Sequence, residues 1–300
     1  MPSRTDPPLA PFGALLLAML SFQFGAALAK QLFPLVGAQG ATAMRLGLGA
    51  LILWTMRRPW RRLAGRQGWP WLWGYGVTLG LMNLCFYMAL TTIPLGIAIA
   101  LEFVGPLSIA LFGSRRIWDF LWVGLVLLGL ALLLPWQAQV QALDPAGVLY
   151  SMGSAVCWAA YILLGRRAGA AFGGDTVALG SAIAALIAVP VGIAHAGTAM
   201  LSLAALPFAL GVAILSSAFP YTLEMYALTR LPARTMGILM SAEPALGALF
   251  GLALLGEHLG ALQWLAITAI IAASVGTVLG ARTAPAEIAQ MADPAPPPVD

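Results

Sequence analysis

The sequence predicts an all-α integral membrane protein: ten transmembrane helices in a five-plus-five inverted repeat, with both termini in the cytoplasm. Three observations predict it. The chain has too few charges to cover a water-facing surface, its arginines fall on alternate loops, and its two halves match locally.

Of 300 residues, 61% are hydrophobic and 9% charged, against about 25% charged in soluble domains. The apolar stretches run about 20 residues, the length that crosses a hydrocarbon core of about 30 Å. In that core each backbone group must find a partner within its own segment, which selects helices over open sheets. The net charge of +4 does not point to nucleic acid, because the basic residues form short clusters between apolar runs and not one soluble face. Cys85 and Cys157 lie inside apolar runs and read as small core residues. They are too few for a disulfide framework or a metal site, and no cofactor is implied. The N-terminal run is too long for a signal-peptide core and reads as an uncleaved first span. Residues 283–300 hold five prolines without an apolar period and read as a disordered tail.

The spans fall at 10–32, 38–57, 70–91, 94–114, 118–136, 145–165, 175–195, 206–228, 232–254 and 260–281. With the N-terminus inside, the inner loops carry Arg57, Arg58, Arg61, Arg62 and Arg66, then Arg115 and Arg116, then Arg166 and Arg167, then Arg230 and Arg234. Arg282 follows the last span on the same side. The outer loops, near Gly37, Ile93, 137–143, 196–205 and 257–258, hold no Arg or Lys. This alternation is the positive-inside pattern at every turn, and it supports the count of ten separately from hydropathy. Lys30, near the outer end of span 1, is the one cation out of step.

A shift of 138 residues lays Ala89-Leu90-Thr91 on Ala227-Leu228-Thr229, Pro94 on Pro232, Pro106 on Pro244, and Ala110-Leu111-Phe112-Gly113 on Ala248-Leu249-Phe250-Gly251. The predicted units are therefore 10–136 and 145–281. Five spans per unit is an odd number, so the two units stand upside down relative to each other. Thr92 and Gly96 in one copy accordingly become Arg230 and Arg234 in the other. Inverted repeats of this kind point to a secondary transporter with its site near the midplane.

Arg45, Glu102, Glu224 and Glu243 stand inside apolar spans, where a charge costs at least about 2.5–3.5 kcal/mol and marks a functional site by default. At roughly 1.5 Å per residue, Arg45 and Glu102 lie at one depth, roughly 11 and 12 Å below the outer face, so these two are expected to be able to pair. They form either a fastener between helices or part of a binding site. Glu243 lies roughly 16 Å above the inner face, directly before Pro244, which frees a backbone carbonyl. Glu224, only about 6 Å from the inner end, either snorkels to water, pairs with Arg230 or Arg234, or takes part in function. Lys30 is either an interfacial anchor or a further site residue. Gln23, Asn83, Tyr87, Trp158, Tyr161, Tyr221 and Tyr226 are polar or aromatic residues in spans that either line a cavity or make ordinary helix contacts. Gly76 with Gly80, and Gly247 with Gly251, have helix-packing spacing. The chain lacks HExxH, GxSxG, a Walker loop and a pair of intramembrane aspartates, so no enzyme is indicated. His195 and His258 sit at the outer edge and read as solvated.

Several segments carry a family resemblance. They are Ala-Leu-Ala-Lys-Gln-Leu-Phe-Pro-Leu-Val-Gly at 27–37, Arg45 within Thr-Ala-Met-Arg-Leu, and Pro-Leu-Gly-Ile-Ala-Ile-Ala-Leu-Glu-Phe-Val-Gly-Pro at 94–106. In the second half they are Pro-Tyr-Thr-Leu-Glu-Met-Tyr-Ala-Leu-Thr-Arg-Leu-Pro at 220–232, Ser-Ala-Glu-Pro-Ala at 241–245 and Leu-Gly-Glu at 255–257. Over residues 10–282 the chain resembles the EamA family of the drug/metabolite transporter superfamily, and within it the bacterial inner-membrane threonine and homoserine exporters. The resemblance implies alternating access and efflux of a small amino acid against protons; the leading reading of the site is then one for a zwitterion, with Arg45 facing the carboxylate and Glu102 or Glu243 facing the ammonium or carrying the proton. Many members have a Gly-Glu pair after the equivalent span in both halves. Here the first half has Gly113-Ser114-Arg115-Arg116 instead, so Glu257 reads as structural. A drug or other metabolite exporter on the same fold, and a non-transporting accessory subunit of the membrane, are the alternative readings.

Overall fold

A computed structural model describes residues 9–61, 67–112, 117–133, 143–228, 231 and 239–280. Every regular element among them is helical. The tail at 283–300, together with Arg62, Arg66, Arg115, Arg116, Arg230, Arg234 and Arg282, lies outside the described residues.

The first two predicted spans form a single helix, α1 (Leu9–Arg57), bent at Gly37 into limbs 9–36 and 38–57. The outer connection expected near Gly37 is thus a one-residue kink. Gly37 has φ 68° and ψ 172°, a conformation that glycine adopts without a Cβ clash. Helix α2 (Trp69–Ala89) has Pro70 in its first turn, where the missing N–H is one that no helical carbonyl would have bonded.

The fourth predicted span is interrupted. Helix α3 (Leu95–Glu102) stops and α4 (Val104–Phe112) restarts after Phe103. Pro106, with no N–H, cannot bond the carbonyl of Glu102 four residues back. Then come α5 (Ile117–Leu133), α6 (Pro145–Phe172), started by the Asp144 side chain accepting from Ala146 N, and α7 (Thr176–Ala196). The eighth predicted span is also irregular: α8 (Ala205–Ala213) passes through a π-helical turn (Ile214–Ala218) into α9 (Phe219–Leu228). Helices α10 (Glu243–Leu255) and α11 (Ala261–Gly280) complete the described chain. In α10, as in α4, a proline follows the break: Pro244 leaves the carbonyl of Met240 without its helical donor. Among the described residues three stretches, Ala10–Arg57, Pro145–Leu201 and Ala205–Glu224, are long and apolar enough to cross a membrane.

Packing relies on small residues, which let helix backbones approach. Gly76 and Gly80 of α2 abut Ile183 and Ala184 of α7, and Gly247 of α10 abuts Ile99 of α3. A Cβ on Gly105 would overlap the Ala155 carbonyl of α6. The first limb of α1 packs on α8 and α9, with Ser21 Oγ donating to Leu215 O at 2.6 Å. Its second limb packs on α7, where Gly192 meets Ala43. Helix α6 packs on α2, α3 and α4, and α5 on α11. Each half thus lends its first helix to the other, and the polar side chains of both meet in the middle.

Candidate functional site

The interior charges converge on a cavity of about 160 Å³. Nine of the twelve charged, polar or aromatic span residues singled out in the sequence line it: Gln23 and Arg45 from α1, Asn83 from α2, Glu102 from α3, Trp158 and Tyr161 from α6, Tyr221 and Glu224 from α9, and Glu243 from α10. Lys30, Tyr87 and Tyr226 are not on its wall.

Arg45 is 7% exposed and held by neutral acceptors on two other helices. Its Nη1 donates to Asn83 Oδ1 at 2.5 Å and its Nη2 to Ser216 O at 2.8 Å. Local sequence explains both. Asn83 is oriented by its own helix, Nδ2 donating to Leu79 O at 2.8 Å. Ser216 lies four residues before Pro220, so its carbonyl has no α-helical donor, and the π turn around it opens the backbone further. Tyr87, fully buried, places its ring 5.4 Å from the Arg45 guanidinium carbon, a cation–π contact that positions the arginine from behind.

The pairing of Arg45 with Glu102 that their common depth allows is not formed. Glu102, 8% exposed, accepts instead from Ser154 Oγ at 2.5 Å, and that hydroxyl also lies 2.9 Å from Met82 O. The physical reason is that each charge has its own neutral partners: two fixed acceptors for the guanidinium, a hydroxyl for the carboxylate. Both charges therefore keep unused hydrogen-bonding capacity, and the Arg45 Nε has no partner among the described residues. Glu224 and Glu243 have no hydrogen-bond or ion-pair partner among the described residues; Arg230 and Arg234, the partners considered for Glu224, lie outside them.

Aromatic residues set the walls. Tyr161 stacks on Tyr75, ring centroids 4.7 Å apart, and their hydroxyls are 3.1 Å apart. Trp158 meets Phe103, the residue at the helix break, edge to face at 5.7 Å, and Tyr221 meets Phe22 at 5.4 Å. Phe86, Ile99, Met82 and Met240 complete an apolar lining.

Lys30 has a different task. Its Nζ bonds Glu257 Oε1 at 2.5 Å, while Glu257 Oε2 accepts from Leu95 N, the start of α3, at 2.8 Å. One carboxylate thereby joins α1, the N-terminus of α3 and the α10–α11 connection, where an anion complements the helix dipole.

Ser154, Ser216 and Tyr75 were not singled out in the sequence. Ser216 was findable, since a carbonyl four residues before a proline is left without its helical donor. Nothing in the sequence separates Ser154 from Ser151 next to it.

The EamA-like transporter family matches residues 145–279. The threonine/homoserine exporter RhtA of Escherichia coli (strain K12) is 56% identical over 280 residues, 93% of this chain and 95% of that one. Its counterpart in Salmonella typhimurium (strain SL1344) is 55% identical over 284 residues, 94% and 96% of the two chains. A crystal structure of a protein 24% identical superposes with a TM-score of 0.57, covering 92% of this chain and 99% of that one, which shows a shared fold. With a family match across the second half and relatives of this identity along nearly the whole length, the chain belongs to the EamA-like transporter family.

Proposed function

We propose that the protein exports threonine and homoserine across the inner membrane by alternating access, with the cavity around Arg45 as the substrate site and protons as the coupling ion. The observation that carries this reading is the charge arrangement: Arg45, whose Nε has no partner among the described residues, lines a small cavity together with three carboxyl side chains. A zwitterionic amino acid presents the complementary pair, carboxylate to Arg45 and ammonium to Glu102 or Glu243. The volume of about 160 Å³ suits a small solute and lies well below the roughly 300–1,000 Å³ of drug-sized sites.

The same reading includes ten spans in an inverted five-plus-five repeat with both termini cytoplasmic. The packing supports it. Under the 138-residue shift the first limb of α1 corresponds to α6, its second limb to α7, α2 to α8 and α9, α4 to α10, and α5 to α11, while α3 falls on 233–240, mostly outside the described residues. The pairing of α2 with α6 then maps onto the pairing of α8 and α9 with α1, and the pairs formed by α5 with α11 and by the second limb of α1 with α7 map onto themselves. Both copies are also interrupted near the proline pair, at Phe103 and at 241–242, as transporter helices are where they meet a substrate.

Purified protein in vesicles is expected to move threonine and homoserine faster with an imposed pH gradient than without one. Transport of cationic dyes and no amino acid sinks this reading in favour of a drug exporter, and movement of no solute favours an accessory subunit. Reporter fusions after Arg62, Arg116, Arg167 and Arg234 are expected to read cytoplasmic, and those at Gln139 and Thr198 external. An external signal after Arg234 breaks both the span count and the inverted repeat.

A further inference from the structure

Gln23 is buried to 3% exposure on the cavity wall, yet its side chain makes no hydrogen bond among the described residues, and its Oε1 is sealed from solvent without a partner. A buried amide left unpaired costs about 1–3 kcal/mol, so its place there calls for a reason. The other uncharged polar groups of the cavity are mostly engaged. Asn83 uses its oxygen on Arg45 and its nitrogen on Leu79, Ser216 Oγ donates to Val212 O, and Tyr161 bonds Tyr75. Trp158 and Tyr221 also bring an N–H and a hydroxyl to the wall, but neither holds a sealed atom without a partner.

The position of Gln23 is specific. Its Oε1 lies 3.3 Å from where a Cβ on Gly247 would stand, at the crossing of α10 over Ile99 of α3. Glu243 is four residues before Gly247 and Glu102 three after Ile99, so the amide sits one helical turn from each acid on the facing sides of those helices. In threonine the hydroxyl-bearing carbon is bonded directly to the ammonium-bearing one, and in homoserine it is one carbon further. A group one turn from the acid that takes the ammonium is therefore next to the hydroxyl. A carboxamide both donates and accepts, as a hydroxyl does.

We infer that Gln23 is the specificity-determining residue that reads the side-chain hydroxyl of the substrate, restricting this exporter to small hydroxy amino acids. The inference rests on the export reading above. It follows the rule that a site built to hydrogen-bond a hydroxyl rejects the analogue lacking it, because its own polar group is then left unpaired.

The test uses 2-aminobutyrate, the carbon skeleton common to threonine and homoserine without the hydroxyl. Full-length protein in vesicles is expected to export both hydroxy acids at least about tenfold faster than 2-aminobutyrate. In Gln23→Met, which keeps the length of the side chain, that ratio is expected to collapse: threonine and homoserine fall about tenfold while 2-aminobutyrate is unchanged. Gln23→Asn keeps the amide but withdraws it by one methylene, so preference should move from threonine toward homoserine, whose hydroxyl reaches further. An equal loss for all three solutes in Gln23→Met, or no loss, overturns the assignment. If Gln23→Met does not reach the membrane, an unchanged threonine-to-homoserine ratio in Gln23→Asn overturns it. Wild-type protein that moves none of the three removes the export reading itself, and this inference with it.

Discussion

Arg45→Lys is expected to abolish threonine export, with transport down by about 100-fold or more, while the protein still inserts at close to normal abundance. Lysine keeps the charge but has no planar fork, so it cannot bond Asn83 Oδ1 and Ser216 O while presenting a third N–H to a carboxylate. The remaining ammonium is free to satisfy either acceptor, which protects folding. Arg45→Leu is a harsher change. It leaves Asn83 Oδ1 and Ser216 O buried without a donor, at about 1–3 kcal/mol each, so abundance should fall along with transport. Export at more than about a tenth of the wild-type rate in Arg45→Lys would show that the guanidinium does not meet the substrate carboxylate, since losing a buried charge-assisted hydrogen bond costs more than that.

Why that arginine is usable at all was only half legible in the sequence. An arginine in the middle of an apolar span announces itself through its insertion cost, and Glu102 and Glu243 do the same. Pro106, Pro220 and Pro244 act on the backbone within one turn, yet from the sequence only Pro244 is expected to free a carbonyl, and the kink at Gly37 stands where a connection between two spans is expected. The choice of partners is decided otherwise. Equal depth made Glu102 a natural mate for Arg45, but depth fixes one coordinate of three. The azimuth of each helix is set by where its small residues allow close approach, such as Gly105 against Ala155, and that contact brings Ser154 of the same helix to Glu102. Lys30 illustrates the same limit. Its neighbour Glu257 is 227 residues away and belongs to a connection whose path no local pattern describes.

Glu102→Gln is the second change with a large expected effect, and the geometry alters what it should do to the fold. Were Arg45 and Glu102 a fastening pair, neutralising Glu102 would strand a buried guanidinium and lower abundance by the several kcal/mol of an uncompensated charge. Here Arg45 is already satisfied by Asn83 and Ser216, and a glutamine at 102 keeps an oxygen to accept from Ser154 Oγ. Glu102→Gln should therefore insert normally and melt within a few degrees of the wild-type protein. Transport should still fall sharply, because the amide can neither neutralise the substrate ammonium nor take up and release a proton, and what remains should no longer respond to an imposed pH gradient. The Arg45→Leu/Glu102→Gln double variant separates the two accounts. A fastening pair predicts that double neutralisation restores abundance and transport together. The cavity reading predicts no rescue, since Asn83 and Ser216 stay unpaired and both ends of the zwitterion lose their partners. Recovered export in the double variant, or a pH-gradient response retained in Glu102→Gln, would remove Glu102 from the site and leave Glu243, a carboxylate from the second half of the chain with no partner among the described residues, as the group that carries the proton.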